Sequence, residues 1–140
     1  MRNVFNKGNF KVTYNTCFTD VILNCKRIKR DGQHGTWITN QMVEAYIALH
    51  EEDIAESVEV WEDGTLVGGL YGINLKEKKV FCGESMFSYV SNASKVALIT
   101  LARKLQRLDY KLIDCQVYNE HLDRMGAREI PRKKFLEYLR

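Results

Sequence analysis

The run Ser57-Val58-Glu59-Val60-Trp61, Glu62-Asp63-Gly64-Thr65, Leu66-Val67-Gly68-Gly69-Leu70-Tyr71-Gly72-Ile73 decides the fold class. Two segments rich in β-branched, aromatic and other apolar residues flank an Asp-Gly turn, which predicts a β-hairpin. A charged turn at Lys76-Glu77-Lys78 leads into a third extended segment, Lys79 to about Gly83. Three strands joined by short turns imply an antiparallel meander. Gly68-Gly69 inside the second strand marks either a bulge or the close approach of another backbone.

Working outward, the hydrophobic period changes on both sides. Upstream, Lys11 to Asn15 reads as an extended lead-in. Thr16 to about Arg30 follows as a helix, with Phe18, Val21, Ile22 and Cys25 at helical spacing. Asp31 to Gly35 breaks it. Thr39 is positioned to cap a second helix running to about Glu52, with Met42, Val43, Tyr46 and Leu49 on its apolar face. Downstream, Ser91 or Asn92 caps the longest helix, to about Leu108, with Ala93, Ala97, Leu101, Leu105 and Leu108 in one stripe. Lys111 to Val117 is then a strand, and a strand–helix–strand passage of this length implies parallel pairing by a right-handed crossover. A short helix (Asn119 to Met125), a stop at Gly126, a brief strand near Arg128 to Ile130 and a terminal helical turn complete the order. That layout is α+β, of the N-acetyltransferase (GNAT) type.

Composition bounds the function. The 140 residues, 45% apolar and 28% charged, fit a single globular domain. No apolar stretch reaches the roughly 20 residues needed to span a bilayer, and the first seven residues lack an apolar signal-peptide centre, so the expectation is a cytoplasmic, monomeric protein with no membrane partner. Cys17, Cys25, Cys82 and Cys115 form no C-x-x-C pair, and His34, His50 and His121 are scattered, so no metal is implied. Basic residues cluster at Lys26, Arg27, Lys29 and Arg30, at Lys95, Arg103, Lys104 and Arg107, and at Arg128, Arg132, Lys133 and Lys134. Such clusters suit a phosphate backbone as well as a solvated helix face.

Three segments carry polar groups where chemistry is conceivable. In Leu112-Ile113-Asp114-Cys115-Gln116-Val117, strand alternation places Asp114 and Gln116 on one face, about 7 Å apart, and Ile113, Cys115 and Val117 on the other. A carboxylate on a central strand is costly unless partnered. It serves either a polar site at the strand's carboxyl end or a structural hydrogen bond to a neighbouring loop. In Phe81-Cys82-Gly83-Glu84-Ser85-Met86-Phe87, a strand ends at glycine and then presents Glu84 and Ser85 between apolar side chains, where a carboxylate can meet an ammonium group. Exposed strand-end core is the plainer reading. Trp37, at a loop-to-helix junction, is either a stacking surface for a nucleobase or a core residue.

Together the runs Gly-Thr-Trp-Ile-Thr (35–39), Glu-Val-Trp (59–61), Gly-Gly-Leu-Tyr-Gly (68–72), Phe-Cys-Gly-Glu-Ser-Met-Phe (81–87), Asn-Ala-Ser-Lys (92–95), Leu-Ile-Asp-Cys-Gln-Val (112–117) and Gly-Ala-Arg-Glu-Ile-Pro-Arg (126–132) resemble, in order, the leucyl/phenylalanyl-tRNA–protein transferase family. The resemblance covers the chain from about Phe5 onward and implies that residues 1–140 are a single acetyltransferase-like catalytic domain. Family members usually carry a substantial amino-terminal domain with a Trp-Trp-Ser-Pro-like segment, and this chain is expected to begin after it. A Lys- and Arg-rich enlargement at Lys26 to Gln33 offers a substitute phosphate contact.

The resemblance implies transfer of Leu or Phe, and Met less well, from aminoacyl-tRNA to a protein beginning with Arg or Lys, marking it for degradation. It implies no cofactor. Asp114 and Gln116 match the family's catalytic pair. Trp37, Phe81, Glu84, Ser85 and Asn119 match positions that hold the tRNA's 3′ aminoacyl-adenosine end and the acceptor peptide. Leu70, Met86, Leu98, Leu101, Leu105 and Ile113 map to the apolar pocket for the transferred side chain. Two alternatives stand beside this. One is a non-catalytic tRNA-binding remnant. The other is an acyl-coenzyme-A-dependent N-acetyltransferase, which usually needs a glycine-rich pyrophosphate loop where this chain has Ser91-Asn92-Ala93-Ser94-Lys95.

Overall fold

The computed structural model describes residues 10–28 and 38–114. A five-stranded sheet runs in the order β1 (Phe10–Tyr14), β2 (Ala55–Glu62), β3 (Thr65–Leu75), β4 (Val80–Ser88) and β5 (Leu112–Asp114). The first three pairings are antiparallel, and β4–β5 is parallel. Three helices accompany it among the described residues: α1 (Phe18–Arg27), α2 (Asn40–Glu51) and α3 (Ala93–Arg107). The expected meander, crossover helix and parallel strand are all present. The elements expected after Val117 lie outside the described residues.

Two hydrophobic clusters sandwich the sheet. On one face, Ala93, Val96, Ala97, Leu101 and Leu105 of α3 pack on Val58, Val60, Leu70 and Phe81. On the other, Phe18, Val21, Ile22 and Cys25 of α1 and Val43 of α2 pack on Tyr71 and Phe87. The four apolar positions of α1 expected from its period are the four it buries. Thr39 caps α2 as expected, its hydroxyl accepting the Met42 N–H at 3.1 Å.

Several expectations need correction. Lys11 to Asn15 is more than a lead-in, because Phe10–Tyr14 is an edge strand in register with Val58–Glu62. The physical signal is alternation: Phe10, Val12 and Tyr14 all lean on the α3 cluster. The helix expected from Thr16 starts at Phe18, and Leu108 falls past the end of α3, where it is 48% exposed. Of the α2 residues expected inside, only Val43 is fully buried, while Met42, Tyr46 and Leu49 are half-buried against the cluster. Asn92 holds the N-cap position in a left-handed conformation (φ 73°), but its side chain caps nothing. The Ser88 hydroxyl instead accepts the Ser94 N–H at 3.3 Å.

Both expectations for the glycine pair hold a part of the truth. The β2–β3 register shifts between Val60 and Trp61, leaving Val67 as the extra residue beside Gly68. A Cβ on Gly68 would lie 2.5 Å from the Ala93 Cβ, so only glycine lets the start of α3 settle onto β3.

Glu59 is fully buried between these elements. Its carboxylate accepts hydrogen bonds from the Thr13 hydroxyl (2.7 Å), the Thr16 N–H (3.1 Å) and the Ser57 hydroxyl. The Trp61 indole N–H in turn donates to Thr13 Oγ1 at 2.9 Å, so the Glu-Val-Trp run ties β1 to β2.

Candidate active site

The expected site residues divide between the two faces of β4. Strand alternation and the register set the division. Leu70 pairs with Met86 and Phe81 pairs with Ile113, and all four lean toward α3. There they join Leu98, Leu101 and Leu105, so the six positions assigned to the apolar pocket form part of one cluster. Leu70, Leu101 and Leu105 are fully buried, and Met86, Leu98 and Ile113 are half-buried. Of the positions assigned to the pocket, the last three are therefore the more accessible. Phe81 is buried in the same cluster at 1% exposure.

The polar groups lie on the face that carries α1 and α2. Ser85 pairs with Tyr71 and is buried there. The strand does not end at Gly83, as expected, but continues to Ser88, so Glu84 and Ser85 lie inside β4. A second register shift explains how Glu84 is presented. Tyr71 pairs with Ser85 while the next residue, Gly72, pairs with Gly83, leaving Glu84 as the extra residue of a bulge. A bulge bends the strand and re-aims its extra side chain. Glu84 Oε1 accepts a hydrogen bond from the Tyr46 hydroxyl of α2 at 2.7 Å. Burial and this bond together push the Tyr46 phenol upward, so it remains a proton donor.

Asp114 ends the described part of β5, in register with Cys82. The Cys82 thiol is pushed up to about 11, first by burial and then by the carboxylates of Asp114 and Glu84. Asp114 pairs with Cys82 across the β4–β5 junction, and Glu84 lies two residues further along β4. Among the described residues, Cys17, Cys25 and Cys82 form no disulfide. Trp37, Gln116 and Asn119, expected to complete the site, lie outside the described residues. A separate cleft of about 490 Å³, lined by Lys11, Thr13, Thr16, Trp61, Asp63 and Gly64, contains none of the expected site residues.

Comparison with known proteins decides the family. The leucyl/phenylalanyl-tRNA protein transferase family model matches residues 1–140. The chain belongs to that family. It is 60% identical over 140 residues to the leucyl/phenylalanyl-tRNA–protein transferase of Flavobacterium psychrophilum, and 61% identical over 140 residues to that of Flavobacterium johnsoniae. In both cases the match covers 100% of this chain and 65% of the relative. The transferase of Myxococcus xanthus is 49% identical over 139 residues, 99% of this chain and 58% of the relative. The chain thus spans just under two thirds of the length of these relatives.

Solved structures bear on the fold alone. A ribosomal-protein-alanine N-acetyltransferase from Brucella melitensis superposes with TM-score 0.59 at 14% identity, over 87% of this chain and 93% of its own. An aminoglycoside acetyltransferase from an uncultured soil metagenomic sample gives TM-score 0.62 at 11% identity, over 88% and 92%. The fold of this leucyl/phenylalanyl-tRNA protein transferase family chain is the expected GNAT-like one. Sequence reading took Tyr46 for core and missed its hydrogen bond to Glu84. It also missed the bulge at Glu84, because a one-residue register shift leaves no mark in the hydrophobic pattern of a strand buried on both faces.

Proposed function

We propose that residues 1–140 form one catalytic unit that moves Leu or Phe, and Met less well, from aminoacyl-tRNA to proteins beginning with Arg or Lys, in the cytoplasm and as a monomer. The observation that carries the reading is the family match along the whole chain, and the arrangement around β4 supports it. An apolar cluster on the α3 face suits an apolar aminoacyl side chain. Two carboxylates on the opposite face, Glu84 and Asp114, suit an acceptor that brings a cationic side chain and an amino terminus.

An aminoacyl ester is already activated, so the enzyme's work is positioning and charge stabilisation. The neutral α-amine of the acceptor attacks the ester carbonyl, forming the new C–N bond. The tetrahedral intermediate collapses with cleavage of the bond to the ribose oxygen. The proton shed by the amine ends on that departing hydroxyl. Gln116 accepts a hydrogen bond from the attacking amine and Asp114 polarises Gln116. A carboxamide is too weak a base to keep the proton, which passes to the ribose through its neighbouring hydroxyl or a water. Glu84 holds the acceptor's positive charge, and Trp37, Phe81, Ser85 and Asn119 hold the aminoacyl-adenosine end and the acceptor. Degradation of the product is the downstream consequence.

The acetyltransferase likeness is one of fold, and the start of α3 favours no pyrophosphate site. It lacks the glycine-rich loop, and its Ser94 N–H is engaged by Ser88. The test is transfer of labelled Phe or Leu from charged tRNA to an Arg-initiated peptide, with chelator present and coenzyme A absent. Labelled peptide carrying one added residue at its amino terminus is expected. Activity that disappears with chelator, or that requires coenzyme A, would overturn the proposal.

A further inference from the structure

We propose that Tyr46 is a positioning residue for acceptor recognition, acting through Glu84; this rests on the reading of Glu84 as the carboxylate that meets the acceptor's positive charge. Glu84 is the extra residue of a bulge, so the strand ladder alone does not fix its side chain. The Tyr46 hydroxyl donates to Glu84 Oε1 at 2.7 Å, and among the described residues no second hydrogen-bond donor reaches that carboxylate. One oxygen is thereby committed and the half-buried carboxylate is oriented, leaving its other oxygen for a cationic ligand.

The tyrosine is itself held. Its ring packs edge-to-face on Tyr71 (centroids 5.3 Å apart, planes at 69°), the residue that pairs with Ser85 beside the bulge. Tyr71 packs edge-to-face on Phe18 at 5.9 Å, and Phe18 stacks on His50 at 4.4 Å. The His50 ring nitrogen Nδ1 is hydrogen-bonded to the Ala55 carbonyl at 2.9 Å, closing the series on β2. A row of four rings thus backs one hydroxyl against one carboxylate. The phenol stays protonated because burial, then the bond to Glu84, holds its proton on. It can donate to Glu84 at any working pH, and a Phe in its place keeps the ring packing while removing only the hydroxyl.

The experiment measures transfer kinetics for wild type, Tyr46→Phe, Glu84→Gln and the double variant, varying acceptor peptide and aminoacyl-tRNA separately. Tyr46→Phe is expected to raise the acceptor KM roughly tenfold, the scale of a hydrogen bond to a charged group. Its KM for aminoacyl-tRNA and its melting temperature should stay at wild-type values. In the Glu84→Gln background the same substitution should change the acceptor KM by less than about twofold, because the two residues act as one unit. An equal loss in both backgrounds, or an unchanged acceptor KM in Tyr46→Phe, overturns the role of Tyr46. If Glu84→Gln itself leaves the acceptor KM unchanged, the underlying reading of Glu84 fails as well.

Discussion

Cys82 reports on the electrostatics of the site at the scale of a single residue. Burial and the carboxylates of Asp114 and Glu84 push its thiol to about 11 against an ordinary 9.0. At pH 8 it therefore holds roughly a hundredfold less thiolate than an unperturbed cysteine. Alkylation followed by peptide mapping should show Cys82 reacting slowly at pH 8 and accelerating up to about pH 11. Asp114→Asn and Glu84→Gln each remove a negative neighbour, so each should lower this pKa and speed the reaction at pH 8. Unchanged rates in both variants would mean that the carboxylates do not act on the thiol. Sequence alternation alone placed Asp114 opposite Ile113, and the register bears that out. What it could not supply was Glu84's neighbourhood, since Cys82, Glu84 and Asp114 converge only after β4 bulges and pairs with β5.

At the scale of elements, the joint between β1 and β2 shows how a polar group can hold a sheet edge. Glu59 is fully buried and satisfied by two hydroxyls and a backbone N–H. Glu59→Ala removes the common acceptor and orphans the buried Ser57 hydroxyl, with the more accessible Thr13 hydroxyl and Thr16 N–H left to water. An orphaned buried donor costs about 1–3 kcal/mol, so a loss of about that size is expected in urea unfolding. Glu59→Gln keeps one acceptor oxygen and should lose less. Because Gln keeps the volume of Glu, equal losses in the two variants would indicate that the carboxylate's charge, not the hydrogen bonds an amide oxygen can keep, holds the joint. The sequence made the helices and the hairpin legible because each carries a clean period of apolar residues. It hid β1 as a sheet member because its five residues carry only three apolar positions, too few to distinguish a strand from an extended lead-in. It misjudged Leu108 because apolar spacing continued past the Lys104–Arg107 turn where the helix ends.

At the scale of the whole molecule, β4 is a partition. Its α3 face gathers the six apolar positions assigned to the proposed pocket, and its other face gathers Glu84, Ser85 and the tyrosine proposed to position the carboxylate. Two substrates meeting at this strand would be read by different faces. The most direct measurement compares two variants across two aminoacyl donors, Phe and Leu, and two acceptors, one Arg-initiated and one Ala-initiated. Leu98→Phe adds volume at a half-buried wall of the apolar cluster. An apolar pocket discriminates one methylene by about 1–3 kcal/mol, so the Phe/Leu ratio of kcat/KM should fall by roughly tenfold or more, with the Arg/Ala acceptor ratio unmoved. Glu84→Gln should do the reverse, lowering the Arg/Ala ratio while leaving the Phe/Leu ratio at its wild-type value. A Leu98→Phe enzyme with an unchanged Phe/Leu ratio, or a Glu84→Gln enzyme whose donor preference shifts together with its acceptor preference, would contradict the division of the site across β4.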